Sequence, residues 1–206
     1  MATNRKILIL GSAGQLAKAF ISTLEERGLD FVAPVESESS ITDFDQISRL
    51  LDKTKPGIVI NCAAYNAVDA AEEDPETALL VNSRAVENLA QQCEKRSLFL
   101  VHYGSDYVFD GNKGDLYTEE DDPNPLNVYG RSKLEGEVAV REIMSRYLVF
   151  RLSWVIGPGT QNFLHKLSGW AEQNRILKIS ADEVSVPTFT DDVVKVTLLA
   201  LEKGLQ

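Results

Sequence analysis

Short apolar runs alternate along this chain with stretches of helical periodicity, and this alternation constrains the fold more than any other feature. Strands are predicted over residues 6–10, 31–35, 58–61, 98–103, 148–154 and 176–180. Helices are predicted over residues 15–27, 44–53, 75–94, 127–146, 163–174 and 191–203. Strands that alternate with helices of about ten or more residues imply parallel βαβ crossovers. The sequence therefore predicts an α/β fold with a doubly wound parallel sheet.

The composition is that of an ordinary globular protein and argues against several functional classes. The 206 residues suffice for one domain with a buried sheet. With 21 basic and 31 acidic residues the net charge is −10, which disfavours nucleic acid as a partner. The sequence has neither an apolar run of about 18 residues nor a signal peptide, so we expect a cytoplasmic protein without a membrane partner. Cys62 and Cys93 are too few for a disulfide framework and are expected to be buried and reduced.

A glycine-containing turn follows the first predicted strand. Gly11 and Gly14 belong to a Gly-x-x-Gly-x-x-Ala pattern that ends at Ala17 and leads directly into a helix. Glycines let the backbone approach a pyrophosphate, and the helix N-terminus offers it free N–H groups. The turn therefore predicts a dinucleotide coenzyme, NADPH or NADH. Glu36 is either an acceptor for a ribose hydroxyl of NADH or a solvated carboxylate. Residues 31–48 contain no Arg or Lys that would bind the 2′-phosphate of NADPH.

Three side chains predict proton transfer at the edge of the sheet. Ser105 follows the fourth predicted strand, and ligands of open parallel sheets bind beyond the carboxyl ends of strands. Tyr129 and Lys133 are four residues apart, so they share one face of a helix. The Lys133 ammonium is expected to lower the pKa of the Tyr129 phenol toward the working pH. The phenol would then exchange a proton with a carbonyl or alcohol oxygen to which Ser105 is hydrogen-bonded.

Several longer segments carry a resemblance to a known family. They cover residues 61–69, 105–111, 125–130 and 151–155, and with the glycine turn and the Tyr-x-x-x-Lys pair they span nearly the whole chain. The chain resembles the extended short-chain dehydrogenase/reductase family and, within it, the dTDP-4-dehydrorhamnose reductase family. The resemblance implies a Rossmann-like NAD(P)-binding fold. It also implies reduction of the C4 ketone of dTDP-4-dehydro-L-rhamnose to dTDP-L-rhamnose with NADPH or NADH.

The resemblance also assigns roles to individual residues. Ser105, Tyr129 and Lys133 would form the catalytic triad, with Ser105 where the family often has threonine. Asp106 and Trp154, together with Ser105, would contact the sugar nucleotide. The coenzyme would lie against the glycine turn, the adenosine side and the path to the nicotinamide, formed by Gly11, Gly14, Gln15, Leu16, Ser40, Ile41, Ala64, Tyr65, Asn66, Tyr103, Tyr129 and Lys133.

The same resemblance divides the chain into two parts. Residues 1–155 would form the dinucleotide-binding domain. Residues 156–206 would form part of a smaller substrate lobe, together with closing sheet and helix elements. Family members are longer, so the substrate lobe is expected to be incomplete in this chain. The implied partners are a dTDP-sugar and a second copy of the chain in a homodimer.

Two other functions stay open. The chain could be a non-catalytic, dinucleotide-binding regulatory subunit that resembles the β subunit of methionine adenosyltransferase, because that family retains much of the same pattern. It could also be another extended-family nucleotide-sugar enzyme, an epimerase or a 4,6-dehydratase. The dehydratases place Asp-Glu after the strand-end Ser or Thr, whereas Ser105 is followed by Asp106 and Tyr107. Elimination of water would therefore lack its second carboxylate.

Other conspicuous side chains are predicted to have structural roles. His102 lies within a predicted strand and is expected to be a core residue. Trp170 is expected to lie in the core, on the helix that begins near Phe163. Two separated histidines without cysteine partners give little support to a metal site. Residues 107–126 are polar and irregular, which is typical of a functional surface loop.

Overall fold

The structure is a computed structural model that describes residues 5–160, 162–179 and 184–204, and strands and helices alternate through most of it. The strands are β1 (Ile7–Leu10), β2 (Phe31–Val32), β3 (Ile58–Asn61), β4 (Phe99–Ser105), β5 (Tyr147–Leu152), β6 (Val155–Ile156) and β7 (Thr188–Phe189). The α-helices are α1 (Gln15–Glu26), α2 (Glu36–Ser39), α3 (Phe44–Thr54), α4 (Val68–Glu73), α5 (Pro75–Leu79), α6 (Ala85–Lys95), α7 (Val128–Ile143), α8 (Phe163–Gln173) and α9 (Thr190–Lys203). A π-helical segment (Leu80–Arg84) joins α5 to α6, and a 3-10 turn (Asp106–Val108) follows β4.

Five of the strands form one parallel sheet in the order β2-β1-β3-β4-β5. Strands β6 and β7 pair in parallel as a separate small sheet. The chain runs outward from β1 to β2 in one direction and from β3 to β5 in the other. Ligands of such sheets bind at this reversal, outside the carboxyl ends of β1 and β3. The predicted doubly wound α/β fold is confirmed.

The sheet is covered on both faces, which explains why its central strands are apolar without alternation. All four residues of β1 are buried, and so are all four of β3. One apolar cluster lies between the sheet and α3, α6 and α7, and a second lies between the sheet and α1 and α9. The sheet is thus held rigidly between two layers, and the ends of its strands are fixed.

Helix α7 approaches its neighbours closely because of two glycines. Its N-terminus is capped by Asn127, whose side chain accepts a hydrogen bond from the N–H of Gly130 at 2.7 Å. A Cβ atom on Gly130 would overlap the carbonyl oxygen of Tyr107, and one on Gly136 would overlap that of Asn82. Gly130 therefore lets α7 lie against the segment that follows β4, and Gly136 lets it lie against the π-helical segment.

Some predicted elements differ from the observed ones. The second strand was predicted over 31–35 but ends at Val32, and Pro34 lacks the N–H that a further ladder bond would need. The predicted helix 75–94 consists of α5, the π-helical segment and α6, and α4 was not predicted. Residues 176–179 form no strand, since an apolar run needs a neighbouring strand with which to pair, and Ser180 lies outside the described residues.

The structure also bears on the cysteines and on membrane segments. Cys93 is buried and Cys62 is half-buried, and both thiols are free, as predicted. Among the described residues, the helices are all too short or too polar to cross a bilayer.

Candidate active site

The turn after β1 depends on glycine at its first position. Gly11 has a φ of 74°, a conformation that other residues rarely adopt. A Cβ atom there would lie 2.6 Å from the backbone nitrogen of Ala63, which follows β3. The turn is closed by a hydrogen bond from the N–H of Gly14 to the carbonyl oxygen of Gly11 at 2.9 Å. The ends of β1 and β3 are therefore in close backbone contact.

The N-terminus of α1 has the features of an anion-binding site. Gly14 occupies the capping position, and no described side chain caps the helix. Its first turn contains no acidic residue, so its N–H groups and helix dipole remain available to a negative ligand. The side-chain nitrogen of Gln15 donates to the carbonyl oxygen of Val155 at 3.0 Å, while its oxygen is buried without a described hydrogen-bond partner. These residues fit the pyrophosphate of a dinucleotide.

A cleft of about 650 Å³ begins at this turn and extends past the carboxyl ends of β3 and β4. Helix α7 and the segment around β6 and α8 form its other walls. The cleft brings together most of the residues predicted to bind or react, which are Gly14, Gln15, Leu16, Ala64, Asn66, Tyr103, Ser105, Asp106, Tyr129, Lys133 and Trp154.

Four predicted coenzyme residues do not line this cleft. Gly11 is the first residue of the turn, and it packs against the backbone that follows β3. Ile41 is 5% exposed and packs in the core, and the N–H of Ser40 donates to the side chain of Gln46 at 2.7 Å. Tyr65 packs beside α4 and α5. The coenzyme contacts of these four residues stay predictions.

The three residues of the predicted triad converge in the cleft. Ser105 is the last residue of β4, and Tyr129 and Lys133 lie one turn apart on α7. The Tyr129 hydroxyl donates to Oδ1 of Asn66 at 3.4 Å, and the Lys133 ammonium donates to the carbonyl oxygen of Tyr103 at 2.6 Å. All three side chains are buried.

Ser105 is held by the 3-10 turn that follows it. Its hydroxyl oxygen accepts a hydrogen bond from the N–H of Tyr107 at 3.2 Å. The same hydroxyl donates to Oδ1 of Asp106 at 3.2 Å. Two neighbours in the chain thus fix the orientation of this hydroxyl at the wall of the cleft.

The pKa of Tyr129 corrects one expectation from the sequence. Burial raises the pKa of the phenol to about 12, a hydrogen bond with Ser105 opposes this rise, and the charge of Asp106 adds to it. The predicted lowering of this pKa by Lys133 is wrong for this structure, because burial dominates and the ammonium is hydrogen-bonded to the carbonyl oxygen of Tyr103. The phenol is therefore fully protonated at neutral pH and suited to donate a proton.

Burial lowers the pKa of the two basic side chains near Tyr129. It lowers the pKa of Lys133 to about 8, although the charge of Glu137 opposes this change. His102 is 1% exposed, and burial together with the charge of Lys133 lowers the pKa of its ring well below the usual range. The ring accepts a hydrogen bond at Nδ1 from the side chain of Asn61 at 3.2 Å. His102 is thus a core residue, as predicted, but its Nε2 is buried without a hydrogen-bond partner among the described residues, so the ring is not fully satisfied. Within the part of the chain that the structure describes, no three potential metal ligands come together.

A buried amide that the sequence analysis did not identify supports the site. Asn82 lies in the π-helical segment and is hydrogen-bonded to both backbone groups of Tyr65, each at 2.9 Å. Its side-chain nitrogen also donates to the hydroxyl of Ser132 at 3.0 Å, and that hydroxyl donates to the carbonyl oxygen of Tyr129 at 2.7 Å. Asn82 therefore joins the segment after β3 to the first turn of α7. In the sequence, Asn82 could have been identified as a polar residue on the apolar face of the helix predicted over residues 75–94.

Aromatic side chains form the wall of the cleft opposite the triad. Trp154 has a φ of 38°, which turns the chain sharply between β5 and β6. The centroid of its ring lies 4.6 Å from that of the Phe163 ring, and the centroids of the Phe163 and Trp170 rings lie 6.2 Å apart. Trp170 is 46% exposed, so its predicted place in the core is wrong; it borders the cleft instead.

The sequence matches a protein-family model described as the RmlD substrate binding domain over residues 5–206. Two similar curated proteins are dTDP-4-dehydrorhamnose reductases. The one from Aggregatibacter actinomycetemcomitans is 36% identical over 96% of this chain and 68% of its own length. The one from Burkholderia thailandensis is 37% identical over 98% of this chain and 67% of its own length.

A solved structure is similar to the fold as a whole. It is the dTDP-4-dehydrorhamnose reductase of Bacillus anthracis in complex with NADP, with a TM-score of 0.93 and 29% identity. The match covers 98% of this chain and 72% of that one. The chain thus spans roughly two thirds to three quarters of the length of these relatives.

Proposed function

Because this chain belongs to the dTDP-4-dehydrorhamnose reductase family, we propose that it reduces the C4 ketone of dTDP-4-dehydro-L-rhamnose to dTDP-L-rhamnose with NADPH or NADH. The observation that carries this proposal is the convergence of Ser105, Tyr129 and Lys133 in one cleft with an uncapped helix N-terminus. A turn that fits a pyrophosphate and a candidate proton donor thus line the same cleft.

Residues of the first part of the chain would hold the coenzyme. The N–H groups of Gln15 and Leu16 would bind the pyrophosphate, and Tyr103 and Lys133 would lie beside the nicotinamide half. The bound coenzyme supplies a hydride to C4 of the sugar. The two-part division at residue 155 belongs to this proposal, with the sugar nucleotide against Asp106 and Trp154.

Tyr129 would provide the proton that completes the reduction. Its phenol stays protonated at neutral pH, since burial raises its pKa to about 12. As the hydride reaches C4, the phenol would donate its proton to the developing alkoxide, while the hydroxyl of Ser105 would turn from Asp106 and donate its hydrogen bond to the same oxygen. The Lys133 ammonium, held by the carbonyl oxygen of Tyr103, would bind the nicotinamide half of the coenzyme.

Turnover of NADPH with dTDP-4-dehydrorhamnose, followed by absorbance, tests this function. We expect Tyr129→Phe to lower kcat at least ~100-fold because it removes the proton donor. The affinity for NADPH is expected to change less than about twofold, because the pyrophosphate turn is unaffected. Tyr117→Phe is the matched control, since it removes a hydroxyl that is hydrogen-bonded to Asp110 outside the cleft.

The two open alternatives give different results in this assay. A regulatory subunit would bind NADPH tightly and show no turnover with the sugar nucleotide. An epimerase or dehydratase would convert a nucleotide sugar without net oxidation of NADPH. An unchanged kcat in Tyr129→Phe would exclude the proposed proton donor. The homodimer also remains a prediction, which light scattering of the purified chain would decide.

A further inference from the structure

A buried ion pair lies directly behind the active site. Glu137 follows Lys133 by one turn on α7, and Arg151 lies on β5 opposite Gly104. The Arg151 Nε donates to Oε2 of Glu137 at 2.9 Å, and the two side chains are 24% and 7% exposed, respectively. The pair therefore connects the catalytic helix to the strand that lies next to β4.

The Glu137 carboxylate lies on the backbone that carries Ser105. A Cβ atom on Gly104 would overlap Oε1 of Glu137, so only glycine leaves room for the carboxylate. The N–H of Ser105 lowers the pKa of Glu137, although its geometry falls short of a full hydrogen bond, and Oε1 has no partner among the described residues. The Glu137 carboxylate is thus packed against the last two residues of β4.

Arg151 extends the connection to the loop beyond Asp106. Its guanidinium lies 4.8 Å from the centroid of the Phe109 ring, within the range of a cation–π interaction. Phe109 stacks on Tyr117 with their centroids 4.1 Å apart. The segment from Ser105 to Phe109 is therefore held at its start by Glu137 and at its end by Arg151.

We propose that Glu137 and Arg151 are positioning residues that fix Ser105 and Asp106 relative to Tyr129 and Lys133. This inference rests on the proposed reductase function, because it assigns the pair a part in that reaction. Neither side chain lines the cleft, so the pair acts through the segment that it holds and not by contact with the substrate.

A contribution to the free energy of unfolding does not by itself explain why an ion pair occupies this position. Removing two charges from water costs free energy that their attraction often fails to recover, and apolar residues of similar size are often as stabilising. Burial raises the pKa of Glu137, and this effect outweighs the opposing effects of Arg151 and Lys133. What apolar residues would lack is the fixed direction of the hydrogen bond and of the contact with Phe109.

This difference leads to an experiment with a double variant. Glu137→Gln/Arg151→Met removes both charges of the pair, so it is expected to fold with a Tm close to that of the wild type. Because the charge of Glu137 also raises the pKa of the buried Lys133, kcat is compared at a pH well below that pKa. Glu137→Gln and Arg151→Lys probe each side separately. Glu76→Gln is the matched control, because it removes a carboxylate from an exposed ion pair with Arg84.

Two measurements are made on each variant of the full chain. The first is hydrogen–deuterium exchange of a peptide covering residues 104–109, which we expect to be about tenfold faster in the double variant. The second is kcat per NADPH-binding site, which we expect to fall about tenfold while NADPH affinity changes less than about twofold. The control is expected to change neither quantity.

The outcomes separate this inference from the proposed function. A folded double variant with wild-type exchange, or with wild-type kcat, overturns the positioning role. A loss of total activity in proportion to the loss of NADPH-binding sites also overturns it, because that is the result of unfolding alone. If the wild-type chain shows no turnover, the proposed function fails, and the positioning role in that reaction fails with it. Faster exchange would then show only that the pair holds the segment.

Discussion

Tyr129 and Lys133 illustrate how burial acts on single residues in the cleft. The two side chains are one turn apart on α7, yet the pKa of the phenol is raised to about 12 and that of the ammonium is lowered to about 8. Both changes have the same cause, since burial disfavours the charged form of each group. The protonation state of the site near neutral pH is therefore controlled by the lysine and not by the tyrosine.

A pH dependence follows from the lowered pKa of Lys133. The ammonium is present below pH about 8 and is lost above it, so its proposed contact with the coenzyme is lost as the pH rises. We expect kcat/KM for NADPH to fall as the pH increases through about 8, whereas Tyr129 stays protonated throughout this range. Lys133→Arg, whose charge persists, is expected to flatten this alkaline decrease. A wild-type rate that stays level well above pH 8 would contradict the assignment.

The sequence was sufficient to predict that Ser105, Tyr129 and Lys133 lie together, but not their electrostatics, and their catalytic roles stay predictions. Ser105 could be predicted from its place at a strand end, and Tyr129 and Lys133 from their spacing. The direction in which the pKa of Tyr129 changes could not be predicted, because it depends on burial and on the carbonyl oxygen to which Lys133 is hydrogen-bonded. Glu137 has a local signal in its four-residue spacing from Lys133, but its partner Arg151 comes from another strand.

At the scale of elements, the turn between β1 and α1 has two glycines with different roles. Gly11 has a positive φ and is in contact with the backbone after β3, so the fold requires it. Gly14 has a φ of −72°, which any residue can adopt, and a Cβ atom there would meet only the carbonyl oxygen of Gly11, at 3.3 Å. The fold itself therefore requires glycine much less at position 14 than at position 11.

Substitution of each glycine is expected to separate these roles. Gly11→Ala should lower the free energy of unfolding by about 2 kcal/mol or more, because it combines a clash with a strained φ. Gly14→Val should preserve most of that stability and abolish NADPH binding, because its side chain would occupy the space of the pyrophosphate. Urea unfolding and a fluorescence titration with NADPH measure the two effects. Tight NADPH binding by Gly14→Val would place the coenzyme elsewhere.

The bounds of strands and helices were predicted best where they depend on residues that are adjacent in the sequence. The apolar run at 58–61 was predicted with the observed bounds of β3, and Asn127 marks the start of α7 as an N-cap. The π-helical segment around Asn82 was not predictable, because it is stabilised by contacts with Tyr65 and α7 that are remote in sequence. Strands β6 and β7 have two residues each, too few for a periodic pattern.

At the scale of the whole molecule, the last helix joins the first part of the fold. Helix α9 was predicted with the second part of the chain, yet Val193, Val194 and Leu198 pack in the same cluster as Phe20 and Leu24 of α1. The hydroxyl of Tyr103 is also hydrogen-bonded to that of Thr197 at 3.0 Å. The layer that covers this face of the sheet thus includes a closing helix from beyond residue 155.

A shortened chain is expected to reveal this dependence. A fragment of residues 1–155 lacks α9, so the face of α1 that carries Phe20 would be exposed to water. We expect the fragment to unfold at a much lower urea concentration than the full chain, or to aggregate. Circular dichroism with sedimentation measures both. A fragment as stable as the full chain would show that the first part folds independently.

The composition of the turn at residues 11–17 has a consequence for how solution conditions affect coenzyme binding. This segment contains no Lys or Arg, and the molecule carries a net charge of −10. Backbone dipoles would therefore hold a doubly negative group inside a molecule that repels it at long range. Added salt screens that repulsion within about 10 Å at 0.1 M and acts little on a buried contact. The affinity for NADPH should then persist or increase at higher ionic strength, in contrast to a site lined with lysines.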